Sequence, residues 1–122
     1  MKIYYWKIRG LVQPIVTLCE YLEVPYELVQ FESMEEWMAK KTELINEGFH
    51  YANLPFIEDE KFLGKERLAE SSAIMFHILE HYNGKSMMMD MPKQLQLNGV
   101  IGDLKLYLVL NCYYSKNHDE LR

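Results

Sequence analysis

Cysteine is scarce: Cys19 and Cys112 are the two in 122 residues. They are far apart and each sits in an apolar stretch, so a disulfide scaffold, a zinc ribbon and a C-x-x-C redox pair are excluded. Two buried thiols in a reducing compartment is the reading that remains. Lys2, Lys7 and Arg9 are scattered among aromatics with no apolar h-region, which also points to the cytoplasm. Glycine (6) and proline (4) are too few for collagen-like or linker character. Basic runs are missing: 13 Lys and Arg face 18 Asp and Glu, a net charge of −5, which argues against nucleic-acid backbone binding. Long hydrophobic runs are missing too. The most apolar window, Val100 to Tyr114, is broken by Asp103, Lys105 and Asn111 and falls short of the ~18 residues of a membrane span. His77 and His81 have the i, i+4 spacing of a zinc pair, but no third ligand presents itself, so no metal is expected and the two read as a solvated helix face. What is present is a chain 49% apolar, enough for one compact domain with a real core.

Ile3 to Trp6 is β-branched and aromatic, closed by Arg9-Gly10, and predicts a first strand. Apolar residues then fall at Leu11, Val12, Ile15, Val16, Leu18, Cys19 and Leu22, a helical spacing with Pro14 in the first turn. Val24-Pro25 ends that helix. Tyr26 to Phe31 predicts a second strand and Glu35 to Asn46 a helix, stopped by Gly48. Asn53-Leu54-Pro55 opens a third strand, Phe56 to Glu58. Asp59 and Glu60 suggest a turn, and a fourth strand lies within Lys61 to Leu68. Ser71 or Ser72 caps a helix to about Tyr82, with Ile74, Ile78 and Leu79 on its inner face. Asn83-Gly84 ends it. Ser86 to Pro92 is a Met-rich connector to a last apolar helix, Lys93 to about Ser115.

A βαβ unit gives a parallel pair and a ββ unit a hairpin, so the order βαβ-α-ββα predicts an α/β domain with a mixed four-stranded sheet. It is compatible with a thioredoxin-like domain. On the last helix, Leu104, Leu106, Leu108, Val109 and Leu110 occupy several faces, and a helix apolar nearly all round must be buried. The expected division is a thioredoxin-like domain over 1–84, then 85–122 as linker and first helix of a truncated all-helical domain.

Specific residues carry a family resemblance. Tyr5-Trp6-Lys7-Ile8-Arg9-Gly10-Leu11 resembles the opening of mu-class glutathione transferases. Gln13-Pro14-Ile15 and Glu20 to Glu27 are similar to that class's first helix and second-strand entry. Asn46-Glu47-Gly48-Phe49, Asn53-Leu54-Pro55 and Glu70-Ser71-Ser72-Ala73-Ile74 follow in the same order. The match covers roughly residues 1–84, and Cys112-Tyr113-Tyr114 extends it loosely.

The resemblance implies glutathione as co-substrate and conjugation of its thiolate to small electrophiles. The free thiol has a pKa of ~8.5, so little is ionised at neutral pH. A shift of ~2 units needs ~2.7 kcal/mol, and one charge-assisted hydrogen bond is worth ~1.5–3 kcal/mol. One tyrosine hydroxyl is about enough. Strand alternation sends Tyr4 and Tyr5 to opposite faces without choosing between them; the resemblance assigns the role to Tyr5. It also implies a cis bond at Leu54-Pro55, which leaves the Leu54 backbone to pair with the cysteinyl unit. Glu70 and Ser71, at a helix start, then take the γ-glutamyl end, and Trp6, Leu11, Lys41 and Asn53 join the site. Asp103 matches the place from which an acidic residue reaches a partner subunit's ligand.

Three features depart from the class pattern. Leu44 and Gly48 stand where a Trp and a Lys face the glycine carboxylate, leaving Lys41 as the cation. Glu70 replaces the usual Gln. The stretch from Pro55 to Glu70 is about four residues longer than usual, a length surface hairpins tolerate, and is expected beside the γ-glutamyl site. A homodimer follows from the resemblance. The alternative is a non-catalytic structural subunit of a larger assembly. A thiol-disulfide oxidoreductase is the third reading, opposed by the lack of a cysteine after the first strand.

Overall fold

The computed structural model describes residues 1–113. Its elements are β1 (Lys2–Trp6), a 3₁₀ turn (Gly10–Val12), α1 (Gln13–Tyr21), β2 (Glu27–Phe31), α2 (Met34–Asn46), β3 (Phe56–Glu58), β4 (Arg67–Ala69), α3 (Ser71–His81), a second 3₁₀ turn (Lys85–Met87), α4 (Met91–Leu108) and a π-helical stretch (Val109–Tyr113). The four strands form one sheet in the order β2-β1-β3-β4. β1 and β2 are parallel, with Tyr5 opposite Gln30 and Trp6 opposite Phe31. β1–β3 and β3–β4 are antiparallel. This is the mixed sheet of a thioredoxin-like domain, reached because βαβ and ββ connections permit it.

Local chemistry fixes the element ends. The Ser33 side chain accepts from the Glu36 N–H at 3.2 Å while a Glu36 carboxylate oxygen accepts from the Glu32 N–H at 3.0 Å. That reciprocal arrangement satisfies orphan donors and starts α2 at Met34, one residue before the expected Glu35. α1 carries Pro14 in its first turn. At α3 the cap is Glu70 rather than a serine, and Ser71 is already helical. The fourth strand starts only at Arg67, because the chain first makes a turn held by the Phe62 and Leu63 N–H groups on the Asp59 carbonyl.

One sheet face carries an aromatic layer. Tyr4 stacks on Phe56 at 4.2 Å between centroids, and Trp37 of α2 lies 6.2 Å from Phe56 and 5.5 Å from Phe31. Ile3 and its cross-strand partner Ile57 point to the other face and are fully buried. α1 and α3 pack on each other and bury Ile15, Cys19, Ile74 and Ile78.

Two corrections arise here. Cys112 is exposed, not a core thiol; it lies on the π-helical stretch, where Val109, Leu110 and Asn111 are not buried either. His77 is buried, not solvated, because the Asp59 carboxylate, itself taking the Tyr82 hydroxyl, supplies it with a polar partner inside the fold.

The chain divides into two compact units, Met1–Met87 and a second beginning at Met88. Within the second, Leu95, Val100, Ile101, Leu104, Leu106 and Tyr107 of α4 are all exposed. Tyr114 and Ser115, expected at the end of this helix, lie outside the described residues.

Candidate functional site

The register places the candidate residues at one end of the sheet. β1 ends at Tyr5-Trp6, and Tyr4 pairs with Phe56. Antiparallel pairing therefore brings the residues just before Phe56, Leu54 and Pro55, alongside Tyr5 and Trp6. Phe56 in turn pairs with Ala69, which sets Glu70 and the start of α3 beside the same end. Leu54-Pro55 is cis, as expected. Leu54 is buried and Asn53 exposed.

The two tyrosines of β1 have different fates. The Tyr4 hydroxyl donates to Glu58 Oε2 at 2.6 Å. Burial, then this hydrogen bond and the Glu58 charge, push its ionisation well above the ordinary range. Its proton is committed. Tyr5 is 5% exposed, and its oxygen accepts the Leu11 N–H at 3.0 Å. No acceptor for its own proton occurs among the described residues. Gly10, at φ +37°, lets the backbone pass this close: a Cβ there would lie 2.6 Å from the Tyr5 oxygen.

Glu70 holds φ +75° at the mouth of α3, and its Oε1 accepts from Asn53 Nδ2 at 3.4 Å. The first-turn N–H groups of α3 have no helical partners and carry partial positive charge. An anion and an ammonium could therefore be held side by side here, one by the helix start and the other by the Glu70 carboxylate.

A second polar cluster sits at the other end of the sheet. Asp59 follows Glu58, which pairs with Lys2 at the start of β1. Asp59 Oδ2 is 2.9 Å from His77 Nε2 and accepts from the Tyr82 hydroxyl at 2.9 Å. Burial pushes the Asp59 carboxyl up, but the hydrogen bonds from His77 and Tyr82 and the His77 charge outweigh it and hold it below the usual range. Beside it, burial likewise opposes ionisation of Glu58, while Tyr4 and Arg67 win and lower it. Arg67 also reaches Glu47 at 2.8 Å, tying β4 to the end of α2.

The family model for the N-terminal domain of glutathione S-transferase matches residues 1–80. The chain belongs to this family. It is 37% identical to a class-mu 26 kDa isozyme of Schistosoma japonicum, over 97% of this chain and 52% of that protein. It is 35% identical to the class-mu 26 kDa isozyme 51 of Fasciola hepatica, over 94% of this chain and 51% of that one. Among solved structures, it matches the glutathione S-transferase Blo t 8 with a TM-score of 0.70 at 25% identity, covering 98% of this chain and 53% of that one. The chain spans about half the length of the curated relatives it matches.

Against the transferase pattern, the long β3–β4 connection is not beside Glu70 as the sequence suggested. β3 runs away from Pro55 and β4 returns toward Glu70, so the turn of residues 59–66 lies at the opposite end of the sheet. Antiparallel geometry settles this: both ends of the stretch touch the Tyr5 end, and its middle cannot. Phe62 of that turn stacks on His81 at 4.5 Å and meets Tyr82 edge-on at 5.2 Å. Leu44 is fully buried, and Gly48 makes the turn after α2 at φ +96°. Lys41 lies 5.8 Å over the Trp37 ring. Asp103 belongs to the second unit.

The Asp59–His77–Tyr82 cluster is the part that sequence reasoning missed. A usable signal existed: His77 sits with Ile74, Ile78 and His81 at i, i+3, i+4 and i+7, the spacing of a buried helix stripe.

Proposed function

We propose that this chain binds glutathione and serves the conjugation of its thiolate to small electrophiles, as a mu-like glutathione transferase acting as a two-fold dimer in the cytoplasm. The single observation that carries this is the Tyr5 hydroxyl, whose oxygen is taken up by the Leu11 amide while its proton is uncommitted. A hydroxyl held in this way donates to an anion placed at the sheet end. That favours thiolate over thiol by about the 1.5–3 kcal/mol of a charge-assisted hydrogen bond.

The other roles follow the chemistry of each group. The cysteinyl backbone would pair with Leu54 as an added strand. The γ-glutamyl carboxylate would sit at the start of α3 by Ser71, and its ammonium at Glu70 and Asn53. Trp6 and Leu11 would border the thiol, and Lys41 would serve the glycine carboxylate. Asp103 would reach the partner's ligand. Residues 1–84 would form the glutathione domain, and 85–122 the start of the helical one. No metal enters this chemistry. The test is retention on immobilised glutathione with elution by the free tripeptide. A folded chain that passes straight through would refute the reading.

A non-catalytic structural subunit is favoured by one observation: Leu44 is fully buried and Gly48 offers no side chain where the mu class has a Trp and a Lys. Glutathione retention without turnover on a generic aryl halide, in the presence of any partner chains, would select it.

A further inference from the structure

Gly10 stands against Tyr5 in a way that backbone conformation alone does not demand. Its φ of +37° is left-handed, and a Cβ built on it meets Tyr5 Oη at 2.6 Å, Cε1 at 3.0 Å and Cζ at 3.2 Å. All three contacts are with one side chain, and the shortest is with the reactive oxygen. Tyr5 cannot easily yield. It is 5% exposed, and its strand is fixed by parallel pairing with Gln30. Any side chain at position 10 must therefore push the hydroxyl off the turn or the turn off the hydroxyl. Either movement breaks the 3.0 Å bond from the Leu11 N–H.

That bond determines where the phenolic proton points. A phenol O–H prefers the ring plane, which offers two directions. The Leu11 N–H, approaching as a donor, occupies one and leaves the other for the Tyr5 proton. Without the amide the proton can take either direction, and the part of its population turned toward the backbone is lost to an anion at the site.

We propose that Gly10 is the positioning residue for Tyr5: its missing Cβ lets the Leu11 amide seat the hydroxyl and aim its proton at the glutathione sulfur. This rests on the glutathione reading above and adds to it a residue that never touches the ligand.

The test is a double-mutant cycle on the full chain, comparing the native protein, Tyr5→Phe, Gly10→Ala and the pair combined. The readout is the pKa of bound glutathione, followed by the ultraviolet absorbance of its thiolate. Gly10→Ala is expected to raise that pKa by about one unit or more, a tenfold loss in the thiolate-to-thiol ratio, and to add nothing once Tyr5→Phe is present. A purely structural glycine would lower stability in both backgrounds and leave the bound thiol's pKa alone. If Gly10→Ala is too unstable to bind, the same cycle is read on urea midpoints. The cost of the left-handed φ is common to both backgrounds and cancels, so Tyr5→Phe, which removes the oxygen met at 2.6 Å, is expected to recover part of the lost stability. Two results overturn the role of Gly10: an unchanged pKa in Gly10→Ala where Tyr5→Phe shifts it, or no recovery in the pair. A Tyr5→Phe chain whose bound thiol titrates like the native one refutes instead the reading of Tyr5 itself, and the positioning role goes with it.

Discussion

Asp59 and His77, 18 residues apart in sequence, meet through a 2.9 Å contact between Oδ2 and Nε2 at the end of the sheet away from Tyr5. The two side chains are 2% and 6% exposed, so neither can fall back on water. The contact joins the β3–β4 connection to α3, and Tyr82 closes it from the helix end. A buried carboxylate with two donors is tied to the fold by charge-assisted hydrogen bonds, each worth about 1.5–3 kcal/mol.

Acid should therefore loosen the domain. The Asp59 carboxyl is held below its ordinary value in the fold. A depressed folded pKa gives stability that is fully present above the unfolded value, near 3.9, and lost as pH falls through the folded one. As pH falls below about 4, urea midpoints of the native chain should drop more steeply than those of Asp59→Asn. Parallel curves for the two proteins would contradict this.

His77→Phe should cost about 2–3 kcal/mol at neutral pH, since it strips a donor from a buried carboxylate. His81→Phe removes only a half-exposed ring and should stay within about 1 kcal/mol of the native chain. Chemical denaturation of the two variants side by side checks the difference; equal losses would mean that His77 is not the anchoring residue.

Tyr4 and Tyr5, adjacent in β1, should separate stability from activity. Tyr4→Phe removes the donor to Glu58 and should lower stability by about 1–2 kcal/mol while leaving the bound thiol's ionisation unchanged. Tyr5→Phe should do the reverse: near-native stability, glutathione still retained, and turnover down roughly 10²-fold, the equivalent of ~2.7 kcal/mol. Full turnover in Tyr5→Phe would remove that hydroxyl from the chemistry.

Glu70→Gly offers a trade between fold and binding. Glu70 sits at φ +75°, a conformation that costs a side-chain-bearing residue about 1–3 kcal/mol. Glycine relieves it and should raise stability by about 1 kcal/mol after its greater unfolded-chain freedom is subtracted. Retention on immobilised glutathione should fall, because the carboxylate is gone. Unchanged retention would take Glu70 out of the site.

The two thiols should react at very different rates. Cys19 is fully buried, and burial pushes its pKa up to about 11; Cys112 is exposed. A maleimide should label Cys112 at once in the native chain and Cys19 only in denaturant, with the sites read by mass spectrometry of peptides. Equal labelling without denaturant would contradict the packing of α1.

Much of this was legible in the chain. The alternation of Ile3, Tyr4 and Tyr5, the helical spacing from Ile15 to Cys19 and the Ile74-Ile78-Leu79 face all report periodic burial, and periodicity survives in a one-dimensional string. Asn53-Leu54-Pro55 and Glu70-Ser71 marked the candidate site through resemblance. What escaped depended on register. That Tyr4 is committed to Glu58 follows only once Lys2 is set opposite Glu58. The far-end position of the long connection follows from strand direction, which length does not encode. Asp59 does open the turn the sequence suggests, its carbonyl taking the Phe62 and Leu63 N–H groups, but the partners of its side chain, His77 and Tyr82, are remote in sequence. The Ser33-x-x-Glu36 cap, by contrast, is a local pattern that the sequence carries.

The connection between β3 and β4 gives this domain a natural attachment point. Gly64, at φ +61°, has no atom within 4 Å of where a Cβ would be, and it sits across the length of the sheet from Tyr5 and Glu70. Asp59, Lys61 and Phe62 of that connection lean back on α3 and Tyr82. A fluorophore or a short inserted epitope at position 64 would travel with the domain while leaving the thiol end clear, so that glutathione capture and any pairing of chains could be followed on one labelled molecule.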